Sequence, residues 1–159
     1  MMGDSLNIVL DPVSNGIHLL RSAGMLLSAD VAHAIHPNYA HKHEANHQPV
    51  LNGGTVMKIN DNQRYATDAV SGFFFRQLAR ECGQAVQEFV VRNDCPCGTT
   101  IGPIIAANTG LRTVDLGVPS LSMHSIRETV GVSDITNNYE ILKGFFARFE
   151  ALFSKFSGF

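Results

Sequence analysis

Two segments carry the side chains best suited to chemistry. Residues 25–39 place Asp30, His33 and His36 directly after the apolar run Met25, Leu26 and Leu27. Residues 118–128 place His124 behind a second run, with Glu128 close by. Carboxylates and imidazoles at the ends of buried strands are where α/β enzymes put their chemistry. Asp30 has two readings. It fixes a loop by accepting backbone N–H bonds, or it ligates a metal, with His124 meeting it in space. Spacing alone favours the first. Neither segment supplies a general base.

Five of the seven histidines lie between His33 and His47. Their spacing argues against a zinc site made only of them. His33 and His36 would need a helix to share a face, and Pro37 stops one there. His41, His43 and His47 sit in a loop without cysteine partners, unlike structural zinc sites. They read as loop side chains making ordinary hydrogen bonds. Cys95 and Cys97, separated only by Pro96, are too close for an ordinary disulfide and read as inert.

The elements that must position these residues follow from apolar periodicity and breakers. Asp11 and Pro12 interrupt any early element, and Ser14 is placed to cap a short helix through Arg21 that ends at Gly24. Residues 25–29 read as a buried strand and residues 36–54 as loop. Val56 to Ile59 reads as a strand. Thr67 or Asp68 caps a helix to about Cys82, stopped by Gly83. Glu88 to Arg92 and Arg112 to Leu116 read as strands. Between them, Thr99 or Thr100 caps a helix to about Asn108, ended by Gly110, with Pro103 tolerated in its first turn. Tyr139 to Phe156 reads as a long amphipathic helix carrying Phe145, Phe146, Phe149, Phe153 and Phe156, an apolar face wide enough to demand a packing partner. Strands alternating with helices predict a parallel or mixed sheet with helices on its faces.

Composition narrows the function classes. The chain has 159 residues, 45% of them hydrophobic, enough for one domain with a real core. Charged residues make up 16% and the net charge is −2. A polyanion binder would be basic, so nucleic acid is excluded as a partner. The apolar runs are too short and broken to span a membrane, and the first residues lack a secretory signal pattern. Three cysteines make no disulfide framework and fit a reducing compartment such as the cytoplasm.

The motifs together resemble a known family. Ser28 to His33, His36 to Tyr39, Glu44 to His47, Arg92 to Asp94, Cys97 to Pro103, Asp115 to Gly117 and Met123 to Glu128 look like the C-terminal part of aspartyl aminopeptidases, the M18-type metallopeptidases. The resemblance covers residues 25–159 and leaves 1–24 outside it. It implies an α/β/α sandwich with a mixed, largely parallel sheet of the zinc-exopeptidase kind, incomplete in this chain. It also implies removal of N-terminal Asp or Glu from peptides at a centre of two zinc ions, in a homo-oligomer (the family forms dodecamers). By motif match, Asp30 is similar to the terminal carboxylate ligand of one zinc and His124 to the histidine ligand of the other. His33, Lys58 and Tyr65 match positions that contact substrate. Lys58 would pair with the acidic side chain, Tyr65 would donate its hydroxyl to the same ligand, and His33 would hydrogen-bond the developing oxyanion. Without the resemblance, Lys58 reads as a solvated strand-edge lysine and Tyr65 as a half-buried core tyrosine.

The resemblance also defines what to miss. The family's centre needs a further histidine, a bridging aspartate and an adjacent glutamate pair, whose first member is the general base. No two acidic residues are adjacent in this sequence. The expectation is therefore a C-terminal piece of a longer enzyme, with no catalytic residue of its own and inactive alone. The alternative is a non-catalytic remnant that serves as an interaction module and keeps the family's assembly surface. A mononuclear zinc hydrolase would need Glu44 or Glu128 as base, and neither is well placed by motif.

Overall fold

The computed structural model describes residues 12–156. Its strands are β1 (Met25–His33), β2 (Thr55–Ile59), β3 (Val86–Val90), β4 (Arg112–Leu121) and β5 (Thr129–Val130). Its α-helices are α1 (Pro12–Ala23), α2 (Ala69–Glu81), α3 (Ile101–Thr109) and α4 (Val132–Phe156). One mixed sheet runs in the order β1–β4–β2–β3, with β5 pairing β4. β1 is parallel to β4 and β2 to β3, while β2 and β5 run antiparallel to β4. The α/β class expected from the alternation is the one observed.

The sheet separates two unlike layers. On one side, Met57, Val114 and Leu116 meet Phe74, Phe75 and Leu78 of α2 and Ile141 and Leu152 of α4 in one buried apolar cluster. The α4 phenylalanines find the partner their spacing demands, with Phe149 stacked on Phe153 at 5.1 Å and set edge-on to Phe74 at 5.6 Å. Gly144 permits this closeness, because a Cβ there would lie 2.2 Å from the Cys82 sulfur. On the opposite side α3 packs over β4, with Gly102 seated against the Asp115 carboxylate.

Local chemistry sets the helix ends. Asp68 accepts the Ser71 N–H at 2.7 Å, and the Ser71 hydroxyl accepts the Asp68 N–H at 3.0 Å. This reciprocal cap starts α2. Gly110 closes α3 in a left-handed conformation at φ +73.

Several sequence expectations are corrected. Pro12 is the first residue of α1, where a missing N–H costs nothing, so Ser14 lies inside the helix instead of capping it. β1 and β4 both run past their expected ends, pairing through His33 and Ser120. Pro119 is tolerated within β4 because it falls between the residues that pair β2, Leu116 and Gly117, and those that pair β5, Ser120 and Leu121. β3 begins two residues earlier than expected, at Val86. The loop at 36–54 holds a 3-10 turn, Pro37–Lys42. α4 starts at Val132, a full two turns early. Buried Asp134 accepts the N–H groups of Asn52 at 2.6 Å and Gly54 at 2.8 Å. Asn137 accepts the Thr55 N–H at 2.8 Å. These bonds override the weak helix propensity of that stretch. None of the described helices is both long and apolar enough to cross a membrane.

Candidate functional site

The C-terminal end of β1, the exit of β4 and the loop after β3 surround a cleft of about 580 Å³, lined among others by His33, His43, Tyr65, Phe89, Cys97 and Met123. Its frame is locked by polar contacts. Arg92 holds Asp94 at 2.5 Å and donates to the His41 carbonyl at 2.8 Å, tying the 3-10 turn to the segment after β3. The loop carrying Tyr65 is fixed at both flanks. Asp115 accepts the Ala66 N–H at 2.6 Å, and Thr99 donates its hydroxyl to the Arg64 carbonyl at 3.2 Å.

Asp30, His33, Lys58 and Tyr65 come together. Lys58 is 2% exposed on the interior strand β2. The solvated strand-edge reading is therefore overturned. Its ammonium reaches over β4 to the Asp30 carboxylate and to the Val31 carbonyl at 3.1 Å. It also sits 5.1 Å from the Tyr65 ring centroid. The β4 residue in register with both Asp30 and Val56 is Gly117. A Cβ there would lie 2.4 Å from the Asp30 carbonyl oxygen, so glycine lets β1 approach closely.

Tyr65 is buried in a small cluster with Ala32, Val56, Phe89 and Val91. Burial, then a hydrogen bond to the Cys97 thiol, pushes its phenol well above the usual range. Cys97 is thus part of the cleft wall. Its position just after β3, outside a strand's C-terminal end, was the available signal.

His33 stands edge-on to Phe89 at 5.9 Å. Its pKa is lowered, first by burial, then by the charges of Lys58 and His124, with Asp30 opposing. The imidazole is therefore neutral near pH 7 and can donate or accept one hydrogen bond according to tautomer. His124 is exposed in the bend after β4 at φ +64. Its backbone N–H donates to Glu128. This left-handed position turns the chain back toward β5 and keeps His124 within electrostatic reach of His33.

Two further histidines of the cluster have local hydrogen-bond or ion-pair partners, while buried His43 stands edge-on to Phe89 at 5.6 Å with its Nδ1 unpartnered among the described residues. His36 accepts the Asn38 N–H at 3.1 Å, and His47 lies between Glu44 at 2.5 Å and Glu88 at 3.6 Å. The two carboxylates weighed as bases, Glu44 and Glu128, are occupied by His47 and by the His124 backbone respectively.

The donor set does not make a complete metal centre. Among the described residues no three His, Cys, Asp or Glu side chains converge, and the Asp30 oxygen turned inward is taken by an ammonium. The two ligands that the resemblance implies, Asp30 and His124, would in any case be fewer than a tight site needs.

A mixed sheet with helices on both faces, carrying a carboxylate, a lysine and an imidazole toward one end of its strands, puts the chain in the α/β class. Residues 8–146 match the family described as Aminopeptidase I zinc metalloprotease (M18), and the chain belongs to that family. The Ricinus communis protein named "Probable aspartyl aminopeptidase" is 53% identical over 158 residues, 98% of this chain and 32% of that protein. The Dictyostelium discoideum "Aspartyl aminopeptidase" is 50% identical over 140 residues, 88% of this chain and 29% of that protein. Among solved structures, "Crystal structure of prApe1" superposes with a TM-score of 0.83 at 39% identity, covering 88% of this chain and 29% of that one. A chain of "Cryo-EM structure of the Ape4 and Nbr1 complex" gives 0.80 at 47% identity, covering 86% of this chain and 27% of that one. The chain thus spans about a third of the length of the relatives it matches.

Proposed function

We propose that this chain forms the substrate-selecting part of a zinc aminopeptidase that removes N-terminal Asp or Glu from peptides. The observation that carries the reading is the buried Lys58 ammonium, 5.1 Å from the ring centroid of Tyr65, which lines the cleft. A lysine withdrawn from water is a strong anchor for a carboxylate, because the pair replaces hydration that burial has already removed. Lys58 binds the acidic side chain, Tyr65 donates its hydroxyl to the same group, and neutral His33 orients the substrate's polar backbone. Asp30 and His124 are this chain's contributions to a centre of two zinc ions. Its remaining donors and its base must come from segments the chain does not contain, so the chain alone hydrolyses nothing. The working protein is a homo-oligomer in the cytoplasm. A neighbour described as "Structure of S. cerevesiae mApe1 dodecamer" supports the assembly, and three free cysteines support the compartment.

One observation favours a second reading, an interaction module without activity. Val132, Ile135, Tyr139 and Phe146 are exposed on α4 at helical spacing, with Phe146 85% accessible.

A chimera tests the first reading. Residues 25–159 replace the corresponding segment of the Dictyostelium discoideum relative, and steady-state rates are measured on Asp-terminated and Ala-terminated peptides. The chimera should prefer the Asp peptide, and Lys58→Met should cut that preference by about tenfold or more, as expected for a charge-assisted hydrogen bond of ~1.5–3 kcal/mol. An active chimera whose preference survives Lys58→Met would sink the assignment.

A further inference from the structure

Two planar peptide groups meet at the Tyr65 Cα, and the two dihedrals between them decide where its side chain points. Both groups are held from outside the segment. On one side the Arg64 carbonyl accepts the Thr99 hydroxyl at 3.2 Å and the Thr100 N–H at 3.4 Å, just before α3. On the other the Ala66 N–H donates to the Asp115 carboxylate at 2.6 Å. One residue further, the Thr67 hydroxyl accepts the Asp115 N–H at 2.9 Å. Asp115 is fully buried. A carboxylate withdrawn from water is costly, and an apolar side chain would pack there without that cost. The two anchors also meet each other. A Cβ on Gly102, in the first turn of α3, would lie 2.5 Å and 2.7 Å from the two Asp115 carboxylate oxygens. Burial first, then the Cys97 thiol, keeps the Tyr65 phenol protonated, and the charges of Asp30 and Asp115 add to this. Tyr65 is thus a hydroxyl donor whose direction is set through its backbone.

We propose that Asp115 is a positioning residue for Tyr65: together with the start of α3 it fixes the backbone on both sides of Tyr65 and so aims the hydroxyl at the carboxylate of an acidic substrate. This role rests on the reading of Tyr65 as a substrate contact. It places a determinant of acid selectivity behind the cleft, since neither Asp115 nor Gly102 is among the residues that line it.

Gly102→Ala tests the role with least disturbance, because its methyl meets a side chain and alanine favours the helix. In the chimera it should push the carboxylate aside and cut the preference for the Asp-terminated over the Ala-terminated peptide by about three- to tenfold, the worth of one neutral hydrogen bond. The loss should appear in KM for the Asp peptide, with kcat and the rates on the Ala peptide kept within about twofold. Asp115→Ala should act alike, and Asp115→Asn, which keeps an acceptor for the Ala66 N–H, should not. Added to Tyr65→Phe, Gly102→Ala should have no further effect, since the hydroxyl it misdirects is already gone. Equal losses on both peptides, additive losses in the double variant, or a loss in Asp115→Asn as large as in Asp115→Ala would each overturn the proposal. Amide exchange in the intact 159-residue chain reads the same clamp without activity. The Ala66 amide should be protected in the wild-type chain and exchange about tenfold faster in Gly102→Ala, while amides of α2 and α4 keep their rates. A freely exchanging Ala66 amide in the wild-type chain overturns the clamp even if Gly102→Ala does not fold. An acid preference that survives Lys58→Met would sink the functional reading and leave the exchange result standing, so the two ideas fail separately.

Discussion

The two faces of the sheet are built on different principles. The face under α2 and α4 is mostly apolar and ring-packed, with Thr55 bound to Asn137 of α4 as its polar exception. The face under α3 buries Lys58, Asp115 and Thr113, polar groups that cost free energy unless each finds a partner. Asp115 meets that demand with one oxygen only, through the Ala66 N–H; its other oxygen has no partner among the described residues. The first face holds the sheet together and the second spends some of that stability on placing side chains at the cleft. A domain of this size can sustain the second only because the first is well packed.

The sharpest way to break this contrast is Phe75→Ala. Phe75 is fully buried in the α2–α4 layer, and its loss should cost about 3–5 kcal/mol in urea unfolding. A cost under about 1 kcal/mol would show that this layer is not what holds the sheet.

On the polar face the two halves of one ion pair should respond unequally. Asp30→Asn leaves a buried ammonium without its charge partner, and a loss of about 2 kcal/mol is expected. Lys58→Met leaves a carboxylate half in water, which hydration can satisfy, so its cost should stay below about 1 kcal/mol. The same unfolding experiment compares them, and equal losses would mean that the burial asymmetry carries no energetic weight.

The smallest effect is the pH response. Burial first lowers the pKa of both His33 and His43 from the ordinary 6.5; Lys58 and His124 add to this at His33, and His33 adds to it at His43. As pH falls through 6.5 the unfolded chain takes up protons before the folded chain does. Stability from these two groups is therefore complete above that value and declines below it, until the folded-state values are passed. Imidazole NMR titrations should give midpoints below 6.5 for His33 and His43. A raised midpoint at His33 would mean that Asp30 outweighs burial and the neighbouring cations.

Much of this was legible without coordinates where a local signal and the global fold agreed. Asp68 announced α2 because its cap needs only residues three apart. Gly110 announced the end of α3 for the same reason. The start of α4 was hidden, since Val132 to Asn138 is poor helix sequence that becomes helical through bonds to residues some eighty positions away. Asp30, His33, Lys58 and Tyr65 could be singled out by motif, but not the contact between Asp30 and Lys58. That contact depends on sheet order, which periodicity does not encode. Nothing in the sequence pairs Cys97 with Tyr65, whose hydroxyl it meets only in the fold.

The sheet order has a consequence for how the molecule forms. β1 and β2 never pair with one another; each hydrogen-bonds to β4, which lies far downstream in the chain. During synthesis β2 can pair only with β3, and β1 must wait with unpaired backbone until residues 112–121 emerge from the ribosome. Only then can the middle of the sheet zip, and Asp134 arrives later still to pin the entrance to β2. Such a high contact order slows folding and prolongs the interval in which open strands can associate with other chains. The ion pair that organises the cleft is among the last features the nascent polypeptide can make, since its two residues are brought near each other only by a strand neither belongs to.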